Sequence, residues 1–169
     1  TNAALDGAVF QLSQGGSPIS LTETGPGQYT SGGSANTFTT SGGRAYISGL
    51  PGGSYTLTEV SPPHKGYVGM GSTNIDLTGN GTVDIENAPT RVNVVKTNGL
   101  TQAPMPGVTF TLTNEQGEPV LLSKHQDGTY RPDSEGTDGF TVDGDGKATI
   151  LYLPAGTYTI HEPNAEGFA

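Results

Sequence analysis

The chain of 169 residues contains no cysteine. Disulfides, thiolate nucleophiles and cysteine-based metal sites are therefore excluded. Positive charge is scarce too: 7 Lys and Arg stand against 16 Asp and Glu, for a net charge of −9. A nucleic-acid ligand needs a Lys/Arg surface to neutralise its phosphates, and an anionic membrane face attracts the same residues, so both are disfavoured. No apolar run approaches the length of a membrane-spanning helix, and no leader pattern is seen. An anchor, if the protein carries one, is expected outside these residues. Helical periodicity is missing from every useful window. Hydrophobic residues make up only 31% and charged residues 14%, a poverty that composition alone would assign to disorder.

The pattern of what is present argues for a fold. Gly 27 and Pro 12 punctuate short runs of alternating apolar residues. Thr, Val, Ile and Tyr fill those runs, and their side chains suit a pleated, half-buried surface. The sequence also repeats itself. Gly7 to Leu12 (GAVFQL) matches Gly107 to Leu112 (GVTFTL), and Gly27 to Tyr29 matches Gly128 to Tyr130. Gly42 to Glu59 (GGRAYISGLPGGSYTLTE) matches Asp145 to Glu162 (DGKATILYLPAGTYTIHE), while His64 to Tyr67 is echoed by Ala165 to Phe168. The offset grows from 100 to 103 along the first three pairs and is 101 at the last. So long a period means two copies of a whole domain. The boundary is expected near Asn87-Ala88-Pro89-Thr90-Arg91, giving domains 1–90 and 91–169. Short strands separated by frequent turn signals predict an all-β fold, two tandem Ig-like β-sandwiches.

Strands are expected over Ala8 to Leu12, Arg44 to Ile47, Ser54 to Val60, Thr73 to Leu77 and Thr82 to Glu86 in the first copy. The second copy predicts them over Arg91 to Thr97, Val108 to Thr113, Lys147 to Leu151 and Thr157 to His161. Side chains on a strand alternate between faces. Tyr55, Leu57 and Glu59 therefore share a face, with Thr56 and Thr58 opposite. Tyr158, Ile160 and Glu162 do the same, as do Val92, Val94 and Lys96, and Val83, Ile85 and Asn87. Each set ends in a polar residue on the apolar side, where Lys and Glu are rarely buried unless paired.

These segments resemble known modules. Tyr55 to Tyr67 (YTLTEVSPPHKGY) and Tyr158 to Phe168 (YTIHEPNAEGF) are similar to the glutamate segment of collagen-adhesin B-type (Cna-B, prealbumin-like) repeat domains of Gram-positive pilins and surface adhesins. Arg91 to Thr97 followed by Pro106 to Leu112 resembles that family's first two strands, and Val83 to Pro89 its last. The resemblance implies an autocatalytic isopeptide bond, in which a first-strand lysine amine joins a last-strand asparagine carboxamide with help from a buried acid. Apolar surroundings favour the neutral amine that can attack and the neutral acid that can polarise the carboxamide. Carried over, Glu59 and Glu162 are the assisting acids, Asn87 is an acceptor and Lys96 an amine. Lys96 and Asn87 fall in different domains. The partner of Asn87 is expected about four positions before Thr1, and that of Lys96 after Ala169.

The implied function is a structural stalk module of a wall-anchored Gram-positive surface protein, extracellular, with neighbouring domains of the same protein, other pilin subunits or a host ligand as partners. A ligand-binding adhesin module for host glycan or matrix protein is the alternative. No cofactor or metal is expected. Asp143-Gly144-Asp145-Gly146 resembles a calcium loop, but Lys147 at the fifth position breaks the template, leaving a hairpin turn. His64, His125 and His161 lack metal-ligand spacing. No G-x-S-x-G turn with a paired histidine suggests an enzyme. Tyr29, Tyr46, Tyr130 and Tyr152 suit packing better than a sugar platform.

Overall fold

A computed structural model describes residues 4–163. The chain divides into two compact units, Thr1–Ala88 and Pro89–Ala169. Along the first run β1 (Val9–Gln14), β2 (Ser17–Pro18), β3 (Leu21–Gly25), β4 (Gln28–Ser31), β5 (Phe38–Thr39), β6 (Tyr46–Ser48), β7 (Gly53–Ser61), β8 (Tyr67–Val68) and β9 (Ser72–Leu77). The two-residue β10 (Ala88–Pro89) stands at the boundary. Along the second run β11 (Arg91–Val95), β12 (Thr109–Asn114), β13 (Leu122–Lys124), β14 (Tyr130–Pro132), β15 (Gly139–Thr141), β16 (Lys147–Leu151) and β17 (Tyr158–His161).

Each unit closes two sheets over one core. In unit 1 the sheet β2-β1-β7-β9, with β5 also on β1, faces the sheet β3-β4-β6. In unit 2 the sheet β15-β12-β17 faces β11-β16-β14-β13. The alternating apolar residues of the facing sheets fill the space between. Phe10, Leu12, Leu21, Tyr29, Phe38, Tyr55 and Leu57 are buried in unit 1. Phe110, Leu112, Leu122, Tyr130, Phe140 and Ile150 are buried in unit 2. The repeat extends to ring geometry: Phe10 and Phe38 stack with centroids 5.6 Å apart, Phe110 and Phe140 at 5.5 Å. Buried tyrosines need partners for their hydroxyls. Tyr29 bonds the backbone of Thr39 and Tyr130 that of Thr141, while Tyr55 and Tyr158 donate to the carbonyls of Pro51 and Pro154.

Among the described residues, six strands have counterparts in both units, whereas β2, β8 and β9 of unit 1 and β11 of unit 2 do not. Strand β12 corresponds to β1, β13 to β3, β14 to β4, β15 to β5, β16 to β6 and β17 to β7. Unit 1 has β9 on the outer side of β7, and among the described residues unit 2 has no counterpart on β17. Unit 2 has β11 on the outer side of β16, and among the described residues unit 1 has no counterpart on β6.

Two departures from the sequence expectation have physical causes. The stretch Thr82 to Glu86 is expected as a strand and joins no ladder. Alternation sets which side chains face the core, and Ile85 does pack there, but a ladder also needs a neighbouring strand with free backbone groups. Strands β3, β4, β13, β14 and β15 go unread in the sequence. They are three to five residues long and carry one buried apolar side chain apiece, too few to register as alternation.

Candidate cross-linking sites

Strand β7 alternates as its sequence dictates. Tyr55, Leu57 and Glu59 are buried, and Ser54, Thr56 and Thr58 face outward. The outward row is tied to β9 by hydrogen bonds from Ser54 to Asp76, from Thr56 to Asn74 and between Thr58 and Ser72. Glu59, opposite Phe10 of β1, is 9% exposed and is the one buried charged side chain among the described residues. An unpartnered carboxyl at such depth would be costly, and Glu59 has several donors. The Met70 N–H donates to its Oε2 at 2.5 Å, and the Asn87 Nδ2 donates to Oε1 at 3.0 Å and Oε2 at 2.8 Å. The same Asn87 nitrogen also reaches the Val68 carbonyl at 3.1 Å. Backbone groups on either side of Gly69 thus hold the acid and the carboxamide together. A Cβ at Gly69 would stand 3.4 Å from Glu59 Oε2, at van der Waals contact.

In unit 2 the acid holds the amine instead. Lys96 Nζ lies 2.8 Å from Glu162 Oε2. The lysine backbone is fixed on both sides: its N–H donates to the Gly146 carbonyl at 2.7 Å, and its carbonyl accepts the Met105 N–H at 3.0 Å. Gly146 has φ +71, and a Cβ there would come 2.5 Å from the Lys96 carbonyl oxygen, so this turn requires glycine. The side chains of Lys96 and Glu162 are 23% and 24% exposed. The sequence places them against an apolar interior; the structure places them in an ion pair touched by water. Ile160 shows the cause. It is 39% exposed, whereas its counterpart Leu57 is 6% exposed. In unit 1 that face is covered by Met70, Ile75, Leu77 and Ile85, and the described residues of unit 2 supply no equivalent cover.

Unit 1 brings together acid and carboxamide, unit 2 amine and acid. Lys96 and Asn87 lie in separate units, each with its own glutamate. The Val68 carbonyl, the Met70 N–H and the Gly146 carbonyl that holds Lys96 escape sequence reading because they act through the backbone. Elsewhere, Asp143 Oδ1 accepts the N–H groups of Asp145 and Lys147 and so closes the turn in which the calcium-like residues stand. Tyr29 and Tyr130 are buried in the two cores and Tyr46 is exposed, so the four tyrosines do not line one platform.

The sequence family described as the SpaA prealbumin-like fold domain matches residues 1–89 and again 90–168. The chain belongs to this family. Its prealbumin-like domains also have similar solved structures. The streptococcal ancillary pilin is 26% identical, with 95% of this chain and 49% of that one covered and a TM-score of 0.42. The minor pilin of Streptococcus agalactiae is 19% identical, covering 98% and 73%, at 0.38. The shaft pilin SpaA from Lactobacillus rhamnosus GG is 17% identical, covering 96% and 79%, at 0.38. The chain spans about half the length of the first of these. The comparison with curated proteins finds no match.

Proposed function

We propose that the chain is a force-bearing module of a Gram-positive cell-surface stalk, built from Cna-B-like domains that each close an isopeptide bond between their first and last strands. The observation that carries this reading is the use of equivalent glutamates: Glu162 holds an amine at 2.8 Å, and Glu59 holds a carboxamide nitrogen at 2.8 Å. With all three groups in one domain, the neutral lysine nitrogen attacks the asparagine Cγ, a new C–N bond forms and the Cγ–Nδ2 bond breaks. The glutamic acid delivers a proton to the departing nitrogen, which leaves as ammonia, and recovers one from the attacking amine. An amide is a poor electrophile, so orientation supplies much of the rate; effective molarities for well-placed groups reach ~10⁵–10⁸ M. The reaction runs once per domain and is maturation, not turnover. The module works at the extracellular surface of a wall-attached protein, with neighbouring domains and other pilin subunits as partners.

The intact mass of a chain extended at both ends tests the reading. One ammonia should be missing per completed domain, and Lys96→Ala or Glu162→Ala should restore it in the second. Full mass in the unsubstituted extended chain would leave the domains without bonds.

A further inference from the structure

The two units carry hairpins of equal length that end differently. Glu23 to Tyr29 in unit 1 corresponds to Lys124 to Tyr130 in unit 2. In unit 1 the hairpin is zipped onto the neighbouring strand. β4 pairs with β6 at three positions, Gln28 with Tyr46, Tyr29 with Ile47 and Thr30 with Ser48. The Tyr46 N–H then donates to the Gly27 carbonyl at 2.8 Å, and a Cβ at Gly27 would stand 2.8 Å from the Arg44 carbonyl oxygen. In unit 2, β14 meets β16 at the single pair Tyr130 with Ile150. A Cβ at Gly128, the counterpart of Gly27, would find nothing within 4 Å. Thr149 stands where unit 1 has the larger Tyr46. A cleft of about 240 Å³ opens there between the hairpin and β16.

The lining of the cleft has two complementary parts. Lys124 and Lys147 supply amines, in a chain whose net charge is −9. The ion pairs among the described residues are Lys96 with Glu162 and Arg131 with Asp127, so neither amine has a carboxylate partner. Lys124 Nζ lies over the Tyr130 ring, 5.6 Å from its centroid, and unit 1 has Glu23 in its place. The other polar groups accept. Asp127 and Asp143 already receive N–H groups of their own turns. Thr129 spends its hydroxyl proton on Asp127, and Thr149 spends its own on Asn93. The lone pairs left over call for hydroxyl donors, while the two amines call for an anion.

We propose that this cleft binds one acidic sugar residue, its carboxylate between the amines of Lys124 and Lys147 and its ring hydroxyls donating to Asp127, Asp143 and Thr149. Pockets for drug-sized ligands run from roughly 300 to 1,000 Å³, so the smaller cleft suits a single ring. An acidic peptide would satisfy the amines but bring no row of hydroxyls, and its further carboxylates would face Asp127 and Asp143. A metal cation is opposed by both amines. The site uses neither Glu59 nor Glu162 and stands without the cross-linking reading.

NMR titration of the whole 169-residue chain with the methyl glycosides of glucuronic acid and of N-acetylneuraminic acid, each taken separately, tests the site. The amides of Gly128, Thr129 and Thr149 should shift, and that of Gln28 in the closed hairpin of unit 1 should not. Affinity should be about millimolar, because the cleft is open and polar, and it should weaken as salt rises. Lys124→Ala with Lys147→Ala should lower it about tenfold or more. Thr149→Tyr, which restores the residue of unit 1, should block binding while leaving the rest of the spectrum in place. Binding by either sugar supports the site, and the tighter of the two names the kind of acid it prefers. No shift with either sugar at ~50 mM, equal binding by neutral methyl glucoside, equal binding by a tetraglutamate peptide, or affinity unchanged in the double lysine variant would overturn it.

Discussion

Glu59 and Glu162 occupy equivalent positions in two strands of the same pattern, yet their surroundings differ, and stability should follow the surroundings. Glu59→Ala removes the acceptor for both the Asn87 carboxamide and the Met70 N–H. A buried donor left without a partner costs about 1–3 kcal/mol. Glu162→Ala breaks an ion pair that water already reaches, and such pairs contribute about 0–1 kcal/mol. Urea unfolding of the two variants should rank them in that order; equal losses would show that the burial of Glu59 has no energetic consequence. The ionisation of Asp127 offers a second residue-scale test. The Thr129 hydroxyl, then the Thr129 N–H and Arg131, hold its carboxyl down at about 2 from an ordinary 3.8. The bonds it makes therefore stabilise the turn fully above pH 3.8 and are lost as pH falls through about 2. Carboxyl NMR titration should find that midpoint, and Thr129→Val should raise it. A midpoint unmoved by the substitution would remove the hydroxyl as the cause.

At the scale of the element, β6 and β16 make a controlled comparison: matching sequence, different neighbours. Ile150 is paired with Val92 of β11 and is 0% exposed, so Ile150→Ala should cost about 2–5 kcal/mol. Ile47→Ala in the uncovered strand should cost about half as much or less, since area already wet contributes little. Denaturant titration of both variants checks the contrast, and equal costs would mean that β6 is covered after all. The pair also shows where sequence reading stops. Period-two alternation correctly puts Tyr55, Leu57 and Glu59 on the core side of β7, because that pattern is written in the strand itself. Whether Thr82 to Glu86 becomes a strand, or Ile160 becomes buried, is decided by a neighbour distant in the chain. The clamp on Glu59 was illegible for another reason. The Val68 carbonyl and Met70 N–H are groups that nearly every residue carries, and only the fold brings them to the acid.

For the whole molecule, the proposed first-to-last strand bond would serve mechanically. In the chain-entropy treatment of cross-links, closing a loop of about 100 residues contributes up to ~4.7 kcal/mol, comparable to the total stability of a small domain. Under tension the gain is larger in kind, because force entering at β11 would pass through the bond to the last strand without loading the sheets between. Unit 2 spans Pro89–Ala169. Without a bond its unfolding should release roughly 250 Å of chain or more, at ~3.3–3.6 Å per extended residue. Single-molecule pulling on the chain extended at both ends should show no such step for this unit, and Lys96→Ala should restore it. Reductant should change neither trace, since the sequence holds no cysteine. A full-length step in the unsubstituted extended chain would mean that β11 yields under load with its lysine unbonded, and the stalk would then depend on hydrogen bonds and core packing alone.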